Sequence, residues 1–253
     1  MPTYKLDLSW DGGPFCGWQI QPDQDSIQCR VESALTKLFG GEKITVQAAG
    51  RTDAGVHALQ QIASFSAQES RTEEQVLRAL NAMLPEQIVC LRATRMPDDF
   101  RARAASKEKM YRYRVFSSRL PCPFRYRHTW HVSYPLQFSP MEEAARYFEG
   151  THDFSAFRSQ GCSAQTTVRT ISSSRLVKND DELHFEVVGK GFLRHQVRIM
   201  MGTLLEIGLE KRKPSSILDL FGEKDRERSG RTAPAHGLWL IWTSLLDSYA
   251  TIE

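Results

Sequence analysis

Residues 49–58 read AGRTDAGVHA and set one carboxylate, Asp53, in a run of small residues, with Arg51 two positions before it and His57 four after. The plainest reading is a turn, in which an Asp side chain bonds nearby backbone and glycine takes a positive φ. The other reading is chemical. An ionised carboxylate serves as nucleophile or base, and Arg51 is suited to hold a phosphate or to pair with the carboxylate. A second stretch, GFLRHQVRIMMGTLLEIG from Gly191 to Gly208, carries Arg194 and Arg198 four apart. On a helix they share a face. The rest of that segment is apolar nearly all round, so an arginine buried with it needs an anionic partner; the alternative is a solvated stripe. Gly202 in its middle costs roughly 1 kcal/mol against Ala, a cost that close approach by other backbone would explain. In KMYRYRV, Tyr111 and Tyr113 fall on one face of a strand and Arg112 and Arg114 on the other. Tyr111 is then either a packing residue or a platform for a base. TAPAHGLWL is a small-residue loop feeding a strand, with Leu238 at the junction. His57, His195 and His236 follow no metal-binding spacing, so structural roles are expected of them.

These groups need elements to position them. Tyr4, Leu6, Leu8 and Trp10 alternate along a strand over 3–10. Ile27, Val31, Ala34, Leu35 and Leu38 recur at helical spacing, with Ser26 or Asp25 to cap the start and Gly40-Gly41 to stop it. Strands follow over 44–49 and 56–65, flanking the Asp53 loop. Thr72 and Gln75 form a capping box for a helix that stops at Pro85, and 87–95 is a strand. The first hundred residues thus read β-α-β-β-α-β. The second part resembles this order: strands over 108–117 and 127–133, a helix opened by a capping box at Ser139 with Pro140 at its first position and ended by Gly150, strands near 167–177 and 182–189, a helix from Phe192 to Ile207, a short helix over 214–221 and a closing strand LWLIWTSLL. Most strand links are too short for parallel crossovers. The expected class is α+β with mainly antiparallel sheets. The boundary is drawn between an N-terminal half, 1–105, carrying the Asp53 loop, and a C-terminal half, 106–253, carrying Tyr111, Arg198 and Leu238.

At 253 residues the chain is long enough to bury a proper core. Its formal charge is only +3, but distribution says more: Phe100–His131 holds nine Lys or Arg residues against one acid, Glu108, with Tyr111, Tyr113, Phe116, Phe124, Tyr126 and Trp130 interleaved. Cations for phosphates and rings for bases suit a nucleic-acid partner; a solvated sheet face is the plainer account. Five scattered cysteines, none in a C-x-x-C pair, point to free thiols in a reducing compartment. MPTYKLDLSW begins as a strand rather than a secretory signal, and no apolar run is long enough to span a bilayer. The cytoplasm is the expected compartment.

Taken in order, DGGPFCGWQ, SIQCRVESAL, AGRTDAGVHA, FRARAASKEKMYRYRV, HDFSAF, GFLRHQVRIMMG and TAPAHGL resemble the tRNA pseudouridine synthase TruA family, from about Tyr4 to Leu240. The resemblance implies an isomerase that converts uridine to pseudouridine at positions 38, 39 and 40 of the tRNA anticodon stem-loop, with no cofactor and no catalytic metal. It implies two pseudo-symmetric β-α-β-β-α-β-like halves joined across a central active-site cleft, and a homodimer whose two subunits both contact tRNA. By the same resemblance Asp53 is the catalytic carboxylate, and Arg51 contacts phosphate and helps flip the target nucleotide. Tyr111 stacks on the target uracil, Arg198 pairs with the aspartate, and Leu238 lines the base pocket. Two positions depart from the family's usual pattern: Arg101 stands where histidine is common, and Gln60 where glycine is frequent.

The isomerisation asks for what these residues offer. The base must leave ribose C1′, turn and reattach through C5. Asp53 could add to uracil C6, attack C1′ or remove a ribose proton, and all three uses need the ionised carboxylate. A non-catalytic RNA-binding protein is the main rival reading, but a carboxylate facing phosphates would only repel them, and no aromatic RNP-type strand is found. A small-molecule hydrolase would need a nucleophile elbow or metal ligands, and neither is found.

Overall fold

A computed structural model describes residues 1–162 and 164–250. In chain order the elements are β1 (Thr3–Trp10), α1 (Ile27–Leu38), β2 (Gln47–Ala48), β3 (His57–Ser66), α2 (Glu73–Met83), β4 (Ile88–Met96), α3 (Ala102–Ala105), β5 (Ser106–Ser117), β6 (Trp130–Val132), α4 (Phe138–Arg146), β7 (Gly150–Asp153), β8 (Val168–Asn179), β9 (Glu182–Gly189), α5 (Gln196–Gly208), α6 (Ser216–Glu223), β10 (Leu238–Leu245) and α7 (Asp247–Ala250). The class is α+β, and the strand pairing is mainly antiparallel, as the short links require. Among the described residues no helix is long and apolar enough to cross a membrane.

The chain divides into two compact units, Met1–Glu108 together with the chain from Leu240, and Lys109–Trp239. The first unit has the expected β-α-β-β-α-β order. Its strands run β4-β1-β3-β10, with β1 antiparallel to both β3 and β4 and the short β2 paired to β3. β1 is buried on both faces. Tyr4, Leu6 and Leu8 fill one, while Lys5 and Asp7 bury a pair 3.6 Å apart on the other. Helix α1 starts where Ser26 Oγ accepts from the Cys29 amide at 3.3 Å. Helix α2 has the full capping box: the Gln75 amide donates to Thr72 Oγ1 at 3.2 Å, and the Thr72 amide to Gln75 Oε1 at 2.9 Å. The expected strand over 44–49 shrinks to two residues. The last strand, from Leu240 on, packs with this unit. Leu245 packs with Ala49, Ile62, Met96, Phe100, Ala102 and Ala105, the Leu246 amide donates to the Ala105 carbonyl at 2.8 Å, and Tyr249 stands edge-on to Phe100.

In the second unit the strand order is β5-β9-β8-β7, with β6 parallel to β5. Three local expectations are corrected here. Helix α4 begins at Phe138, so Ser139 lies inside the first turn and forms no capping box. That helix ends at Arg146. Gly150, at φ 104°, opens strand β7 instead of stopping the helix. Helix α5 begins at Gln196, because His195 at its N-cap takes a left-handed φ of 62°. Arg194 therefore lies outside the helix and exposed, and shares no helical face with Arg198.

Candidate active site

Asp53 sits half-buried on the loop between β2 and β3, with Thr52 buried beside it and Arg51 exposed. The loop is a turn, as the plain reading has it: the Val56 amide donates to the Asp53 carbonyl at 3.2 Å, and Gly55 has φ 78°. It is also braced along its length by the DGGPFCGW segment. Gly17 pairs with Asp53 in an isolated antiparallel bridge, and the Trp18 amide donates to the Thr52 carbonyl at 3.1 Å. From β1, Trp10 Nε1 donates to the Val56 carbonyl at 3.1 Å. Only glycine permits this approach. A Cβ at Gly12 would stand 2.5 Å from the Val56 carbonyl carbon. One at Gly17, where φ is already 104°, would stand 2.7 Å from the Thr52 carbonyl oxygen. His57 is fully buried beneath the same turn. Its Nδ1 accepts from the Gly12 amide at 3.1 Å, and the Asp11 carboxylate lies 3.0 Å away. The carboxylate at position 53 is thus mounted on backbone that has little room to move.

The second unit holds the other sequence-selected residues. Tyr111, on β5, is buried, with its ring edge-to-face with Phe192 at 5.2 Å between centroids. Arg198 lies in the first turn of α5, half-buried. Its Nε donates to the Ala233 carbonyl at 2.7 Å, and the Ala233 amide returns a bond to the Arg198 carbonyl at 3.1 Å. That reciprocal pair fixes the stem of the guanidinium. Leu238 is buried at the start of β10, just after a 3₁₀ turn at Ala235–Gly237. Tyr113, which sequence reasoning saw only as the neighbour of Tyr111, ties this loop down: its hydroxyl donates to the Pro234 carbonyl at 2.7 Å, and its ring fills the space a side chain at Gly237 would need. Burial raises the Tyr113 pKa, against the pull of Arg198 and Arg231, so the phenol keeps its proton for that bond. Strand alternation places Tyr111 and Tyr113 on one face but does not show that one packs against Phe192 while the other holds a loop.

The basic stretch proves partly neutralised. Arg112 faces Glu186 across the β5–β9 ladder, with Nε 2.8 Å from its carboxylate, and Arg175 reaches the same acid at 2.8 Å from β8. Arg114 makes a two-pronged bond to Glu182 at 2.8 and 2.9 Å, and Arg125 pairs with Asp181. Burial alone would raise the pKa of Glu186 and of Glu182; Arg175 and Arg112 beside the first, and Arg114 with His184 beside the second, outweigh it and hold both carboxyls below their usual range. Arg101, Arg103 and Arg119 are exposed.

Asp53 is thus a half-buried carboxylate on a doubly braced loop, carried on a mainly antiparallel α+β frame. The chain belongs to the tRNA pseudouridine synthase family, whose profile matches residues 9–103 and 144–243. It is 44% identical to tRNA pseudouridine synthase A of Acetivibrio thermocellus over 241 residues, covering 95% of this chain and 98% of that one. It is 42% identical to tRNA pseudouridine synthase A 1 of Bacillus cereus, over 95% of this chain and 97% of the relative. The tRNA pseudouridine synthase A of Moorella thermoacetica is 42% identical, at 95% and 98% coverage. The protein is an isomerase that converts uridine to pseudouridine in tRNA.

Proposed function

We propose that this enzyme acts on the anticodon stem-loop, at positions 38, 39 and 40, with Asp53 as its catalytic carboxylate. The observation that carries the assignment is the bracing of the Asp53 loop, since two glycines and two backbone bonds are spent on holding one acid in place. In the reaction the N1–C1′ bond breaks, the uracil turns, a C5–C1′ bond forms and the C5 proton leaves while N1 regains one. Asp53 acts in its ionised form, as nucleophile at C6 or C1′ or as the base that takes a ribose proton. Arg198 pairs with it. Because Arg198 Nε is already committed to the Ala233 carbonyl, that pairing falls to the terminal nitrogens. Tyr111 stacks on the detached uracil, and Leu238 lines the pocket that keeps water from it. Arg51, exposed beside Asp53, contacts phosphate and helps evert the target nucleotide, a step that costs a few kcal/mol. The exposed Arg101, Arg103 and Arg119 are better placed to meet the RNA backbone than the ion-paired Arg112, Arg114 and Arg125. The enzyme works as a homodimer in the cytoplasm, a reading that rests on the family resemblance of its motifs.

Asp53→Asn tests the assignment. Release of tritium from C5-labelled uridine in tRNA is expected to vanish while the tRNA dissociation constant stays within about threefold, because the amide keeps the shape but not the charge. Normal turnover by the variant would remove Asp53 from the mechanism.

A further inference from the structure

Gly230 lays residues 226–234 against Thr203 of helix α5, Ser229 ties them to a neighbouring turn, and one side chain organises them. The Gly230 amide donates to Thr203 Oγ1 at 2.9 Å, while that hydroxyl donates back to the Ile199 carbonyl at 2.9 Å. A Cβ at Gly230 would stand 2.5 Å from the Thr203 nitrogen. Ser229 Oγ reaches the Ala156 carbonyl at 2.7 Å, pinning the segment to the HDFSAF turn. Across this bend lies Arg226. Its Nη1 donates to Ser229 Oγ at 2.9 Å and to the Gly230 carbonyl at 3.1 Å, and its Nη2 donates to Thr232 Oγ1 at 3.1 Å. Three bonds from one planar fork therefore close a loop of seven residues, whose next residue, Ala233, exchanges two hydrogen bonds with Arg198.

We propose that Arg226 is a positioning residue for pseudouridine formation: it shapes the 229–233 bend that aims the Arg198 guanidinium, and touches neither RNA nor the reacting atoms. The inference rests on the role given to Arg198 above. Lysine cannot replace it. An ammonium on a flexible stem keeps the charge but not the fork that spans Ser229, Gly230 and Thr232. A phosphate-binding arginine would behave in the opposite way, since lysine serves phosphates well as a point charge and its loss shows in substrate binding.

The test measures tritium release under saturating and limiting tRNA for Arg226→Lys, Arg198→Ala and the double variant. Arg226→Lys is expected to lower kcat about 10- to 100-fold with KM within about threefold, the effect of a small misplacement at a distance from the chemistry. In the Arg198→Ala background the same substitution should change kcat less than about twofold, because its only route is already cut. A raised KM with unchanged kcat, or full activity with lysine, overturns the inference. So does a double variant whose losses multiply while Arg198→Ala alone still lowers kcat; in that case the Arg198 role stands and only the Arg226 link falls. If Arg198→Ala leaves kcat unchanged, the Arg198 role fails first and takes this link with it. Thr203→Val repeats the cycle with an isosteric change at the other side of the bend, so a poorly folding Arg226 variant does not decide the question.

Discussion

Gly202→Ala ought to reverse its ordinary sign. In a solvated helix interior, replacing glycine by alanine gains roughly 1 kcal/mol. At Gly202 the added methyl carbon would stand 2.9 Å from the Arg231 carbonyl carbon, and closer still to its oxygen. Comfortable carbon–carbon separation is about 3.5–4.0 Å, so the 229–233 backbone must retreat by about 1 Å or more. Overpacking of this kind costs about 1–3 kcal/mol. The retreat also strains the Gly230–Thr203 and Ala233–Arg198 bonds, each worth about 1 kcal/mol. Set against the helix gain, the net is a loss of about 1–4 kcal/mol, which for a chain of this size lowers Tm by about 2–4 °C per kcal/mol. The assay is paired: thermal unfolding of the variant, and tritium release at saturating tRNA. Both should fall, with kcat dropping at least about tenfold because the displaced backbone carries the acceptor of Arg198 Nε. A variant that is more stable than the parent and fully active would refute the reasoning, since it would show that α5 and the loop can part at no cost.

Three further predictions use the same geometry. Gly17→Ala forces a side chain into a φ of 104° and against the Thr52 carbonyl; kcat for tritium release should fall at least about tenfold while tRNA binding, read by filter retention, changes less than about threefold. Glu186→Gln leaves Arg112 and Arg175 without their carboxylate. Because both arginines reach solvent, the loss at pH 7 is discounted to about 1–2 kcal/mol. The folded-state pKa of Glu186 is lowered, so its contribution is present above the usual carboxylate range and lost as pH falls through the lowered value; urea melts from pH 7 to pH 3 should show a shallower acid decline in the variant than in the parent. Thr72→Ala removes the capping box of α2 and should cost about 1 kcal/mol in thermal unfolding with no change in kcat, which separates plain destabilisation from damage to the site.

What could be read in advance was whatever local chemistry decides. The caps at Ser26 and Thr72 and the stripe of Ile27, Val31, Ala34 and Leu35 involve residues a few positions apart, and they reappear as read. The start of α5 was misjudged because apolar periodicity runs unbroken through Phe192 and Leu193, while the break is a left-handed φ at a histidine. Nothing in residue type signals that. The partial neutralisation of the basic stretch could not be read for a related reason: the acids that pair with Arg112 and Arg114 lie some seventy residues on, across the β5–β9 ladder, and register is a tertiary property. Gly202 falls between these cases. Its cost in mid-helix announced that backbone approaches it, but not that the visitor is Arg231.

The same device serves both units. Near Asp53 the brace is Gly12 against Val56 and Gly17 against Thr52; near Arg198 it is Gly202 against Arg231 and Gly230 against Thr203. A loop held by side-chain packing can shift as rotamers change, whereas backbone laid on backbone leaves few soft torsions to adjust. Isomerisation gives the enzyme a reason to prefer the second kind. The uracil is detached for part of the reaction, so the groups around it must already stand within about half an ångström of their working places. It follows that methyl groups added at these four glycines, none of which carries a functional atom, should reduce kcat by factors comparable to those seen on altering the charged residues they support. An equal addition at Gly222, where a Cβ would meet nothing within 4 Å, should leave kcat unchanged.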